Sequence, residues 1–111
     1  VLTKTIGDLG EELATSHLLK LGHEILVRNF RYKRAEIDII SKKGDVIHFV
    51  EVKYRKNASF GHGELAVTEH KLNMLHLGAE GFMDQHQWNG HIQFDIIAIT
   101  GNHIELFEDI N

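Results

Sequence analysis

Asp38 stands thirteen residues before Glu51-Val52-Lys53, and a turn lies between them. Two carboxylates and an amine at this spacing can share one face of a β-hairpin, because side chains alternate with period two along a strand. Such a group can hold a divalent cation and, with the lysine stabilising charge on a phosphate, hydrolyse a phosphodiester. The flanking residues are otherwise apolar: Ile37, Ile39 and Ile40 before the turn, Ile47, Phe49 and Val50 after it. Charges set into strands of this kind usually mark function.

Gly44-Asp45 supplies the turn. Glycine in the first loop position and aspartate in the second suit a two-residue type II′ turn. That turn pairs Asp38 with Glu51 and Glu36 with Lys53; a loop at Lys43-Gly44 would make the carboxylates diagonal but leave them on the same face. Directly opposed carboxylates lie about 5 Å apart and repel one another. A bridging Mg²⁺ with oxygen ligands and waters would offset that repulsion. Lys53, roughly 7 Å along the strand from Glu51, could hold or deprotonate a water or stabilise a phosphate. The same spacing also fits a surface ion-pair cluster, Glu36 with Lys53 and Asp38 with a neighbouring arginine.

The elements that must position these residues follow from periodicity. Ile6, Leu9, Leu13, Ala14 and Leu18 recur at helical spacing, predicting a helix from Thr5 to Leu21 that stops at Gly22. Strands are predicted at Glu24–Phe30, through Ile37–Ile40, and from Val46 to Tyr54. The last is apolar on both faces as far as Val50, which suits a central, covered strand. Asn57 to Gly63 reads as a loop. A second helix is predicted from Glu64 to His86, with Gly78 and Gly81 weakening its second half. Asn89-Gly90 reads as a turn, and strands follow at Ile92–Ile99 and His103–Phe107. The order α-β-β-β-α-β-β describes an α/β domain, a mixed sheet with helices packed on it, spanning residues 1–111 without an internal repeat.

Composition is that of an ordinary globular chain of 111 residues, with no cysteine and no proline. The absence of a membrane-length apolar run and of a signal pattern leads to the expectation of a cytoplasmic protein with no membrane partner. Net charge is −4, which argues against a polyanion partner until its distribution is considered. Between Arg28 and Lys56 nine basic residues face four acids, a local +5, while the first 27 residues carry −2 and the remainder −7. A polyanion would be drawn to the basic span, with Arg28, Arg31, Lys33, Arg34 and Arg55 as its contacts. A solvated basic edge that blunts strand pairing explains the same charges.

Several motifs together resemble a known family. Gly7, Gly10-Glu11 and Ala14 resemble its G-x-x-G-E-x-x-A signature, and Asn29-Phe30-Arg31 its N-x-R. Glu36-Ile37-Asp38-Ile39-Ile40 resembles G-E-I-D-L-I, and Phe49-Val50-Glu51-Val52-Lys53-Tyr54-Arg55 resembles F-V-E-V-K-x-R. Phe60-Gly61, Val67, Lys71 and Phe94-Asp95 follow in the same order. Ala35 departs from the family glycine before Glu36, and Gln93 stands where an arginine often precedes Phe-Asp. On these residues the chain resembles the YraN-type family of small bacterial proteins. That family is similar to the PD-(D/E)XK, or restriction-endonuclease-like, superfamily and to archaeal Holliday-junction resolvases.

The resemblance implies a restriction-endonuclease-like αβββαβ core and Mg²⁺- or Mn²⁺-dependent cleavage of DNA, branched or damaged DNA among its substrates. Asp38 and Glu51 would be metal ligands and Lys53 the catalytic lysine. Glu11 would complete the metal shell or orient a water, and Lys71 would be an accessory basic residue. The resolvase likeness suggests a homodimer. A catalytically silent nucleic-acid-binding module of the same fold is the alternative, and a protein-interaction domain with an acidic C-terminal half is a third.

The nine histidines include three pairs at H-x₄₋₅-H spacing, His17/His23, His70/His76 and His86/His91, but no H-E-x-x-H and no cysteine partner, so a closed zinc site is not expected and most should be exposed or locally bonded. His62, in the glycine-rich loop, is the one to watch. Trp88 is expected to pack at the end of the second helix. No Walker loop, dinucleotide fingerprint or nucleophile elbow is present.

Overall fold

The computed structural model describes residues 6–55 and 67–110. Among them the chain forms helix α1 (Ile6–Lys20), strands β1 (Glu24–Tyr32), β2 (Ala35–Lys43) and β3 (Val46–Arg55), helix α2 (Glu69–His86), and strands β4 (His91–Thr100) and β5 (His103–Phe107). One sheet contains all five strands in the order β1-β2-β3-β4-β5. Only β3 and β4 run parallel, and α2 is the crossover that such a pair requires. The result is the αβββαβ layout expected from the sequence, with β5 added at one edge.

β3 is the middle strand, and its neighbours Phe49 and Val50 are both fully buried. Adjacent strand residues point to opposite faces, so the sheet is covered on both sides here. On one face Ile40, Ile47, Phe49 and Phe94 pack with Leu75, Ala79 and Phe82 of α2. On the other, Ile39, Val50, Ile97 and Ile99 pack with Ala14 and Leu18 of α1. Trp88 packs against the α2-side cluster and donates its indole N–H to the His91 carbonyl, as its place at the helix end suggested.

α1 rests on the sheet by a narrower stripe than its apolar residues predict. Gly10, Ala14 and Leu18 are buried at four-residue spacing, while Leu9 and Leu13 are 44% and 41% exposed. Small residues at the contact bring the helix close and turn the leucines outward. Gly22, at φ +93°, ends the helix in the left-handed conformation that glycine adopts without cost.

α2 begins later than the periodicity suggests. Thr68 is its N-cap, with an extended backbone and a hydroxyl that accepts the Lys71 N–H at 3.1 Å, so Val67 precedes the helix. The expected helical residues Glu64 and Leu65, the Asn57–Gly63 loop, His62, Phe60-Gly61 and Lys56 lie outside the described residues. β1 runs two residues beyond its predicted end, because Lys33 takes φ +54° and closes a tight turn pairing Tyr32 with Ala35.

Gly78 and Gly81 have a different meaning from the one their helix propensity gives them. They are the points where the α2 backbone touches the sheet. A Cβ on Gly81 would lie 2.2 Å from Cγ of the Tyr32 ring, and one on Gly78 would lie 2.7 Å from Ile37 Cδ1. In an exposed helix Gly→Ala gains about 1 kcal/mol. At Gly81 the root of an aromatic ring must move, and overpacking of this kind costs about 1–3 kcal/mol. Gly81→Ala is therefore expected to lower the urea-unfolding midpoint, and a raised midpoint would show that the contact is soft.

Candidate functional site

The β2–β3 ladder pairs Lys43 with Val46 at the turn and ends at Ile39 with Val50, the register that Gly44-Asp45 predicts. Gly44 has φ +62° and Asp45 does not share a positive φ, which fits the type II′ turn. Asp38 and Glu51 are the next residues in this register, but here a side chain replaces the ladder. Asp38 Oδ2 accepts the Val52 N–H at 2.8 Å. The alternation of β2 also breaks at this point. Ile37 and Ile40, three residues apart, both pack on the α2 side, while Ile39 packs on the α1 side. Across from Asp38 on β1, Asn29 holds φ +54°, which asparagine tolerates better than most residues.

This distortion places two carboxyl groups within hydrogen-bonding reach of each other. Burial, reinforced by the negative charge of Asp38, pushes the Glu51 carboxyl up to about 7. Lys71 pulls the other way and does not prevail. Its ammonium lies 2.8 Å from Glu51 Oε2, yet its direction does not meet hydrogen-bond geometry. We read the contact as a charge pair, which leaves that buried oxygen without a hydrogen-bond donor among the described residues. Glu11 reaches the same place from α1. Its pKa is raised by burial and then by Asp38, against a hydrogen bond with Asn29 and the charge of Arg28, whose guanidinium is 3.7 Å away.

A cavity of about 360 Å³ opens over these groups, lined by Glu11, Glu36, Asp38, Glu51, Val52, Tyr54 and Lys71. Four carboxyl groups and one ammonium line it, with Glu36 also paired to Arg31 and Glu11 near Arg28. A second cavity, of about 300 Å³, lies beside it and is lined by Glu51, Lys53, Thr68, Lys71 and Ile96 among others. Glu51 and Lys71 line both. Carboxyl oxygens from Glu11, Asp38 and Glu51 around one cavity are the donor type that an oxygen-preferring divalent ion takes.

The remaining residues singled out in the sequence divide. Glu11, Asp38, Glu51, Lys53 and Lys71 line these cavities, and Arg28 flanks Glu11. Arg31 is paired with Glu36 at 3.0 Å on the exposed β1 edge, and Lys33 and Arg34 are exposed in the adjoining turn. Arg55 is not brought to the site. Its side chain is 8% exposed, and its guanidinium bonds Thr100 and Glu105, tying β3 to β4 and β5.

A second group that could hold a metal ion is His48, Asp95 and Glu108, whose ligand atoms lie within 4.8 Å of one another. Histidine spacing gave no sign of it, because parallel pairing of β3 and β4 brings residues 47 apart in sequence together. Here, however, the polar atoms satisfy one another. His48 Nδ1 is 2.7 Å from Asp95 Oδ2, and Asp95 Oδ1 accepts from the Asp109 N–H and Gln93 Nε2. Burial works against the Asp95 charge, yet these bonds hold its pKa below the usual carboxylate value. His23 is also buried, 2.8 Å from Ser41 Oγ, with its pKa lowered by burial and by His48. An ion entering this group would have to displace several bonds already made, whereas at Glu51 it would displace the Lys71 ammonium alone from Oε2.

Asn29, Tyr54 and Asp95 stand in the sequence motifs without an assigned role, and the His48–Asp95 pair is not foreseen. Asn29 carried a signal, an asparagine within a strand. Tyr54 carried another, because alternation places an aromatic one residue past Lys53 on the α1 side.

The Glu51 shift has a measurable consequence. In the unfolded chain its carboxyl titrates near 4.5, in the folded chain near 7. The folded state therefore keeps a proton that the unfolded state releases, and stability falls as pH rises through this window. The loss is on the order of 3 kcal/mol when complete. Urea unfolding in chelator at pH 5 and pH 8 should show it, with the slope reduced in Glu51→Gln. An equal slope in the variant would place the titration elsewhere.

Comparison with known proteins agrees with the motifs. A model of "Uncharacterised protein family UPF0102" matches residues 10–99. A UPF0102 protein of Brachyspira hyodysenteriae is 38% identical, over 96% of this chain and 95% of its own length. One from Caldicellulosiruptor saccharolyticus is 42% identical over 97% and 92%, and one from Geotalea daltonii 44% identical over 86% and 76%. The chain belongs to the UPF0102 family, the YraN-type family that its motifs resemble.

Proposed function

We propose that this protein is a Mg²⁺- or Mn²⁺-dependent endonuclease-like hydrolase acting on DNA, with its centre at Asp38, Glu51, Lys53 and Glu11. The observation that carries the reading is the approach of the Asp38 and Glu51 carboxyls at a half-buried place, where burial and Asp38 raise the Glu51 pKa although the Lys71 ammonium lies 2.8 Å from its Oε2. A fold with no use for a cation would gain by replacing one of the two carboxyls. The αβββαβ layout and the motif likeness to the PD-(D/E)XK superfamily support the same reading, though fold alone does not assign chemistry.

Asp38 and Glu51 would hold the cation, with Glu11 completing its shell or orienting a water. The ion would supply polarisation of a phosphoryl oxygen and a more acidic water. Lys53, two residues from Glu51 on β3, would hold a water or stabilise charge on the phosphate. Lys71, already paired with Glu51, is a second ammonium within reach of an incoming phosphate. Arg28 and the exposed Arg31, Lys33 and Arg34 would position the backbone without reading sequence. Arg55 takes no part in this reading while it is bound within the sheet.

The test is cleavage of linear, flap and four-way-junction DNA in Mg²⁺ and in Mn²⁺. Cleavage should fall by about 10²-fold or more in Glu51→Gln and in Lys53→Ala. Salt-sensitive DNA binding that survives both substitutions, without cleavage of any substrate, would replace this reading with the silent binding module. Neither binding nor cleavage would remove nucleic acid from the account.

A further inference from the structure

We propose that Tyr54 forms a nucleobase-stacking subsite beside the carboxylates, so that the substrate presents an unpaired or everted base next to the scissile phosphate. The inference rests on the phosphodiester reading of the same cavity and adds what that cavity selects.

Among the described residues Tyr54 is the most exposed of the phenylalanines, tyrosines and tryptophan. Its side chain belongs to a residue 44% exposed, while Phe49, Phe82 and Phe94 are buried and Phe30, Tyr32, Trp88 and Phe107 partly so. Tyr54 is also fixed in place. A Cβ on Gly10 would lie 2.9 Å from Tyr54 Cε2 and 3.0 Å from Cδ2, so the glycine lets the ring lie against the α1 backbone. A supported ring that remains exposed loses little conformational entropy when a planar group covers it.

Position supplies the rest. Tyr54 lines the 360 Å³ cavity together with Glu11, Asp38 and Glu51. That volume is at the small end of ligand pockets and suits a single nucleotide unit better than a duplex. A phosphate drawn to a cation on the carboxylates would leave its own base or sugar within reach of the ring. Every base has a π-face, so this contact would select unpaired nucleotides without selecting sequence. Arg28, exposed beside Glu11, offers charge for the neighbouring phosphate.

The test measures binding of a labelled single-stranded oligonucleotide and a blunt duplex of equal length by fluorescence anisotropy in Ca²⁺. The proteins compared are wild type, Tyr54→Ala, Tyr54→Phe and Tyr54→Trp, each shown by its melting curve to be folded. Single-strand affinity should fall about tenfold in Tyr54→Ala and persist in the two aromatic variants, with duplex affinity unchanged. Wild-type binding that Tyr54→Ala leaves intact would overturn the stacking subsite and leave the phosphodiester reading standing. Equal losses on single strand and duplex would overturn it as well, since they mark a structural role. Wild type binding neither DNA would overturn both.

Discussion

The contact between the Asp38 and Glu51 carboxyls is the constraint on which the rest of the site depends. Burial and a neighbouring carboxyl both work against a second negative charge unless a cation or a proton offsets it. The fold answers in part with Lys71, and burial answers in part by raising the Glu51 pKa toward neutrality. Neither gives the buried Oε2 a directed bond. The conflict is built in by the backbone. Asp38 leaves the ladder to take the Val52 N–H, and β2 loses its alternation at the same residue.

The sheet carries two polar centres, and they behave differently. One lies where β2 and β3 part, near Glu11 in the first half of α1. The other lies beyond the end of α1, where His23, Ser41, His48 and Asp95 are buried together and Gln93 and Asp109 bond Asp95. Ala14, Leu18, Ile39 and Val50 form the apolar core near both. The second centre is internally satisfied and fastens the residues after β5 to β4, helped by the Ile110 N–H bond to the Phe94 carbonyl. Gln93 bonds both Asp95 and Glu108 there. The first centre is the less completely bonded one, and the exposed Tyr54 ring lines the same cavity.

What could be read from the sequence was what local rules determine. Gly44 sets the turn, the turn sets the register, and the register brings Asp38 beside Glu51 without any knowledge of the fold. The apolar run through Val50 placed β3 in the middle of the sheet. Other features depended on tertiary contact. The turn at Lys33 carries no glycine or asparagine to announce its positive φ. Leu9 and Leu13 look like core residues until Gly10 and Ala14 prove to be the contact. Arg55 looks like a phosphate ligand until Thr100 and Glu105, forty-five and fifty residues away, are seen to hold it. Thr68 outweighs the apolar periodicity around Val67 because capping decides where a helix begins.

The central claim is that the cation belongs to Asp38 and Glu51, and calorimetric titration of Mn²⁺ at fixed pH tests it most directly. Wild type, Asp38→Asn, Glu51→Gln and Glu108→Gln would be compared. The expected result is one ion bound by wild type and by Glu108→Gln, with binding lost or greatly weakened in Asp38→Asn and Glu51→Gln. Binding that survives both of those substitutions and disappears in Glu108→Gln would move the ion to the His48 group, and no binding by any of the four would contradict the account outright.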